Sequence, residues 1–270
     1  MMFGAVYGDI IGSYYELHCT KDYNFKLMTE CSFTDDTVLT AAVCKAIMEN
    51  NSSISFFDIN KRGAEYAVQY KSYYSRYKNA GFGEMFIQWA KSNEMFRQKS
   101  YGNGAAMRVV PIGYAYSDIK QICRQVRASC IYTHNSLEAI QGAEAVAVSV
   151  RMALDKKSKK EIQNFCEKEF GFALDTAIDE IRKNFVFDSR TKYSVPPAII
   201  AFLQSDDYES AVRNAVSLGG DADTMACIAG GIAEAYYGKI PEYIKRFCDS
   251  RLDSSLRSVF KEFCLRSIVK

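Results

Sequence analysis

Two short stretches of this chain concentrate oxygen donors. "FTDDT", Phe33 to Thr37, sets Asp35 beside Asp36 where a helical pattern begins, and "GGDADT", Gly219 to Thr224, sets Asp221 and Asp223 one residue apart between a Gly-Gly break and another helical run. Carboxylates, hydroxyls and water are the hard donors that Mg²⁺ or Mn²⁺ takes, whereas zinc or copper calls for imidazole or thiolate, and the chain has only two histidines. Adjacent aspartates in a first helical turn project in different directions. One can therefore face outward to an ion while the other bridges to a second ion held by Asp221 and Asp223, roughly 3.5 to 4 Å from the first. The competing reading is structural, because Asp and Thr are favoured N-caps and are stabilised at a helix's positive end. Either stretch alone is explained by capping; two of them, the second wrapped in glycines that permit a tight turn, bring the chemical reading level with it.

Two further motifs offer binding groups. In "SYGNGAAMR", Ser100 to Arg108, the Gly-Asn-Gly run can take positive φ directly before an apolar helix through Met107, Val110 and Tyr114, so its N–H groups would face a phosphate; an ordinary loop is the plainer alternative. In "YTHNSLEA", His134 stands just before a helix start, where a neutral ring offering a directional hydrogen bond is the functional reading and a satisfied structural histidine the plain one. Arg108 would reach a phosphate or close an internal salt bridge.

The elements that must position these groups read as helices. Val38, Leu39, Ala42, Val43, Ala46 and Ile47 fall on one face of a 3.6-residue period, with Thr34 or Asp35 as N-cap. Asn135 with Glu138, and Ser158 with Glu161, have capping-box spacing. "SDDYESAVRNAVSLGG" runs from an aspartate cap to glycine stops. Period-two alternation hardly occurs, so the chain reads as nearly all α. At 270 residues and 48% apolar content it can fill a sizeable core, and without linkers or repeats one domain over residues 1–270 is the simplest reading. A net charge of +2 without a basic stripe does not indicate nucleic acid. The first residues lack a positive flank and reach Asp9 early, and no apolar run approaches the ~20 residues that span a bilayer, so a soluble cytoplasmic protein with no membrane partner is expected. Nine cysteines without a C-x-x-C pair fit reduced core thiols.

"GAVYGDIIGSYYE", "FTDDT", "SYGNGAAMR", "YTHNSLEA" and "GGDADTMACIAGGIAEAYYG" stand in the order and approximate spacing of the ADP-ribosylglycohydrolase family, which the chain resembles from residue 4 to about residue 240. The resemblance implies an all-α fold, a compact orthogonal multi-helix bundle, with a binuclear Mg²⁺ or Mn²⁺ site at the base of a cleft that holds ADP-ribose. It implies hydrolysis of the glycosidic bond joining ADP-ribose to a modified protein or other acceptor. By the same resemblance Thr34, Asp35, Asp36, Asp221, Asp223 and Thr224 look like metal ligands, with Glu16 and Asp36 as the catalytic acids and Glu16 as general base or water-positioning group. Ser100, Tyr101, Gly102, Asn103 and Gly104 look like the loop that cradles diphosphate and distal ribose, and His134 like a ligand contact. Asp9 and Gly12 are read as a helix-start cap and a packing glycine. Ala222 replaces a hydroxyl residue common in the family, and Lys99 a small one. Acceptor choice is expected from cleft-rim loops, around Tyr70 to Phe86. Two other readings stay open at this point: a catalytically silent ADP-ribose-binding or structural relative, and a two-metal nucleotide phosphohydrolase.

Overall fold

The computed structural model describes residues 2–268. The chain runs through α1 (Gly4–Leu17), α2 (Asp35–Glu49), α3 (Ile59–Arg76), α4 (Glu84–Lys91), α5 (Val110–Ala115), α6 (Ile119–Cys130), α7 (Leu137–Leu154) and α8 (Lys159–Phe170). It continues through α9 (Ile178–Asn184), α10 (Thr191–Leu203), α11 (Tyr208–Val216), α12 (Ala222–Tyr237), α13 (Glu242–Arg251) and α14 (Ser254–Ile268). Among the described residues there is no strand, only isolated bridges pairing Lys99 with His134 and Gly102 with Arg190. The all-α expectation holds.

Local chemistry sets most of the helix starts. Thr34 Oγ1 accepts from the Asp36 N–H, Ser158 and Glu161 form the expected capping box, and Asp207 accepts from the Ser210 N–H. The start of α7 differs by one residue: Ser136, not Asn135, is the cap and accepts from the Ala139 N–H. The Ser136 hydroxyl also donates to the Ser100 carbonyl at 2.6 Å, a tertiary bond that selects it over Asn135. Gly171 and Gly238, at φ +70°, end α8 and α12 in the left-handed conformation that glycine adopts without strain.

Helix α12 runs through the centre, buried from Ala222 to Ala235, with α1, α7, α10 and α11 packed around it. Its seam with α1 is built on absent side chains. A Cβ added at Gly8 would lie 2.0 Å from the Ala226 carbonyl oxygen, at Gly12 2.4 Å from that of Ala222, and at Gly4 2.4 Å from that of Gly230. Spaced at four residues, these glycines form one stripe, and the two backbones approach more closely than any larger side chain allows. Gly12 is therefore a packing glycine, as expected. The far end of the seam is fixed by Glu234, whose Oε2 accepts from the Phe3 N–H at 2.7 Å and the Gly4 N–H at 2.6 Å, satisfying amides that open α1. Burial pushes the Glu234 carboxyl up to about 7, against the lowering effect of those amides.

All nine cysteines are free thiols, and Cys44, Cys130, Cys166, Cys227 and Cys248 are fully buried. Among the described residues no helix is long and apolar enough to cross a membrane. The carboxyl-terminal segment packs as helices α13 and α14.

Candidate active site

The close seam carries Asp9 and Asp223 toward one another. Asp9 is not a cap for its own helix: it lies in the middle of α1, and its carboxylate caps α2 from across the helix crossing. It accepts from the Thr34 N–H (3.0 Å), the Thr34 hydroxyl (2.7 Å), the Thr37 N–H (3.2 Å) and the Thr37 hydroxyl. A fully buried carboxylate thus answers the free amides of a helix start, and α2 is locked to α1. That locks Asp36 as well.

Two trios of acids lie at the floor of a cavity of about 420 Å³, with Glu16, Asp36, Asp221 and Asp223 lining it and Asp9 buried beneath. Asp9, Asp36 and Asp223 each offer an oxygen within 4.8 Å of the others, and so do Glu16, Asp221 and Asp223. Asp223 belongs to both. Thr224 Oγ1 donates to Asp36 Oδ2 at 3.3 Å, and the Asn103 amide donates to Asp221 Oδ2 at 2.8 Å. Thr34 and Asp35 line the cavity but stand outside both trios, the Thr34 hydroxyl being given to Asp9.

The electrostatics are those of crowded anions. Lost hydration first, then the charges of neighbouring acids, push Asp35 up to about 8 and raise Asp36, Asp223 and Glu16 above their ordinary values. Asp9 is pushed up to about 6 by burial, with its four donors pulling the other way. Among the described residues no Lys or Arg forms an ion pair with any of these carboxylates. Asp36 Oδ1 is buried with no hydrogen-bond partner at all. An unpaired carboxylate oxygen in such a place is costly, and the all-oxygen donors, the shared Asp223 and this orphaned atom fit hard divalent cations.

The opposite wall differs from its sequence-based expectation. Gly102 has φ −68°, Asn103–Ala105 is a single 3₁₀ turn, and α5 begins only at Val110, so the Gly-Asn-Gly run is not a positive-φ turn feeding a long helix. Its glycines serve close approach instead, since a Cβ at Gly104 would lie 3.1 Å from His134 Nε2. Ser100, Gly102, Asn103, Gly104 and His134 all line the cavity, whereas Tyr101 faces an adjoining recess beside Lys99. The loop is pinned by a segment that sequence reasoning passed over: the Asn103 N–H donates to the Ser189 carbonyl at 2.9 Å and the Thr191 hydroxyl to the Gly102 carbonyl at 2.8 Å. Phe187 of that segment enters the cavity wall.

Arg108 makes no salt bridge. It is fully buried, with its guanidinium 4.1 Å above the Tyr70 ring, and donates to the Ser129 carbonyl and the Thr133 hydroxyl, while its Nε and Nη1 have no partner. His134 is held well below its ordinary pKa by burial and then by the Arg108 charge. The expected rim between Tyr70 and Phe86 is also narrower: Tyr70, Tyr73 and Tyr74 are buried in α3, and the cavity is reached only from Gly81 through Phe86.

This floor and wall can be set against known proteins. A sequence model of the ADP-ribosylglycohydrolase family matches residues 1–266. The chain belongs to the ADP-ribosylglycohydrolase family. Human ADP-ribosylhydrolase ARH3 is 28% identical over 96% of this chain and 92% of its own length. ADP-ribosylhydrolase ARH3 of Xenopus tropicalis is 28% identical over 88% and 86% respectively. The Escherichia coli K12 protein YegU, uncharacterised, is 25% identical over 76% of this chain and 72% of its own. A solved structure, an ADP-ribosylglycohydrolase-related protein complex, superposes with a TM-score of 0.64 over 96% of this chain and 93% of that one, at 24% identity, and so shares the fold. This ADP-ribosylglycohydrolase is therefore an enzyme that hydrolyses glycosidic bonds, with ADP-ribose or an ADP-ribosylated molecule as its substrate class. The family is metal-dependent in general, and the clustered acids here are a place where metal can bind.

Proposed function

We propose that the enzyme releases ADP-ribose from a modified protein side chain or other acceptor, and that two Mg²⁺ or Mn²⁺ ions are held by the acids of the cavity floor. The observation that carries this reading is the pair of acidic trios sharing Asp223 beneath a wall formed by the Ser100–Gly104 loop and His134. Asp36, Asp223, Asp221 and Glu16 would hold the ions with Thr224 and, from the cavity wall, Thr34 and Asp35; Asp9 joins the first trio and orders Thr34. Divalent cations bound there supply Lewis-acid charge and a template for the vicinal hydroxyls of the distal ribose.

The chain's own residues do the rest. The Ser100–Gly104 loop and His134 hold the diphosphate side of the ligand, so the anomeric carbon lies over the acids. Glu16, the outermost acid, accepts the hydrogen bond that orients the attacking water. The water oxygen bonds to the anomeric carbon as the bond to the acceptor breaks through an oxocarbenium-like state. The acceptor leaves with the bonding electron pair and takes up the proton that water loses. Positioning supplies much of the rate. A reducing, cytoplasmic setting suits the nine free thiols.

The test is release of ADP-ribose from a panel of defined linkages, with and without chelator. We expect free ADP-ribose as product and loss of turnover on metal removal, restored by Mg²⁺ or Mn²⁺. Undiminished turnover in chelator, or AMP or phosphate in place of ADP-ribose, would overturn the reading.

A further inference from the structure

Arg108 and Thr133, which the mechanism above does not use, form a chain of buried groups with His134. Arg108 Nη2 lies 2.7 Å from Thr133 Oγ1, and that oxygen lies 2.9 Å from His134 Nδ1. Arg108 is 0% exposed, Thr133 1% and His134 8%, so these bonds lie behind the cavity wall with little access for bulk water.

The direction of the chain follows from what each group can do. A guanidinium only donates, so the Thr133 oxygen accepts from Arg108. The Thr133 hydroxyl still holds a proton, and among the described residues His134 Nδ1 is its one acceptor within reach. A buried hydroxyl proton left without an acceptor is costly, so the imidazole must accept at Nδ1. We infer that Arg108 and Thr133 are positioning residues that fix His134 as the Nε2–H tautomer, making the ring an obligatory hydrogen-bond donor toward an oxygen of the bound ligand. Nε2 is the atom that faces the Gly102 and Gly104 backbone at the cavity wall. The Arg108 charge acts in the same sense, because it repels a second proton on the ring. A donor fixed in this way matches a diphosphate or ribose oxygen and rejects a ligand presenting a cation or an N–H there. The ligand part of this inference rests on the proposed function; the tautomer does not.

The second histidine supplies an internal reference. His18 Nδ1 lies 2.8 Å from the Tyr14 carbonyl, which can only accept, so His18 favours the opposite tautomer. Long-range ¹H–¹⁵N correlation spectra of the ligand-free protein at neutral pH will then show two distinct ring patterns. We expect the Nε2–H pattern for His134, its loss in Thr133→Val, and its return in Thr133→Ser. An Nδ1–H or imidazolium pattern for His134 in the wild type would overturn the inference without any variant, as would an unchanged pattern in a folded Thr133→Val. Calorimetric binding of ADP-ribose separates the two readings. Thr133→Val should weaken it roughly five- to tenfold, the value of one hydrogen bond, with Thr133→Ser restoring it. Equal affinity in Thr133→Val would sink the donor role, whereas a wild type that shows the Nε2–H pattern yet ignores ADP-ribose would sink the proposed function and leave the tautomer standing.

Discussion

The floor of the cavity and its rim are built on opposite principles. The floor is a junction of long helices whose backbones touch through Gly4, Gly8 and Gly12, and its acids, all but Glu16 of the two trios buried, are crossed by hydrogen bonds and crowded to within 4.8 Å. The rim, from Gly81 to Phe86 and around Phe187, is short-helix and loop, with Met85 49% and Phe187 53% exposed. A floor of this kind tolerates almost no displacement, which suits groups that must meet a reacting carbon at fixed distances. A rim of this kind tolerates change, which suits the choice of acceptor.

Removing an acid from the floor should have the largest effect. Asp223→Ala takes one carboxylate from both trios and should lower kcat/KM for ADP-ribose release by roughly 10²–10³-fold. Because it also removes a crowded anion, its melting temperature in chelator should equal or exceed that of the wild type. A marked loss of stability in chelator would mean that the acids are held together by something other than a cation. Next comes the seam itself. Gly8→Ala places a methyl on the Ala226 carbonyl and should cost about 3 kcal/mol in denaturant unfolding; a change below about 1 kcal/mol would show the seam to be as forgiving as the rim.

The pH dependence of the seam should be smaller. The Glu234 carboxyl is raised from 4.5 to about 7 in the fold, so between those values the native state holds more of its proton than the unfolded chain does. Its contribution to stability is present below pH 4.5 and is lost as pH rises through about 7. Thermal unfolding of Glu234→Gln should therefore fall less steeply across that window than the wild type, the amide oxygen still accepting from Phe3 and Gly4; parallel curves would refute the assignment. The smallest effect on stability belongs to the rim. Phe187→Ala should change unfolding by no more than about 0.5 kcal/mol while altering the ranking of acceptor linkages, and an unchanged ranking would remove Phe187 from acceptor choice.

Much of this contrast was legible in the sequence, and what was not shares one cause. Capping and periodicity are local, so Thr34, Ser158 with Glu161, and Asp207 announced their helices correctly. The acids of "FTDDT" and "GGDADT" were legible because their donor chemistry is unusual at two helix starts. Asp9 was not: its carboxylate serves a different helix, and only the α1–α2 crossing reveals that. The glycines at 4, 8 and 12 are visible as a four-residue repeat, yet nothing local names α12 as the surface they meet. Asn135 and Ser136 are both good caps, and a bond to Ser100 decided between them. The Gly-Asn-Gly run misled because glycine permits positive φ without requiring it, and here the backbone of the 189–191 segment pulls the loop into a 3₁₀ turn.

Order of synthesis gives the α1–α12 seam one more meaning. Helix α1 leaves the ribosome well before α12, and the surface that accepts its bare glycine stripe is made more than two hundred residues later. Until then its apolar side chains lack their main partner, and closing so large a chain loop is slow. Hydrolytic competence therefore waits until α12 has been made, and a nascent chain halted before Asp223 carries most of the preceding helices but an incomplete set of acids.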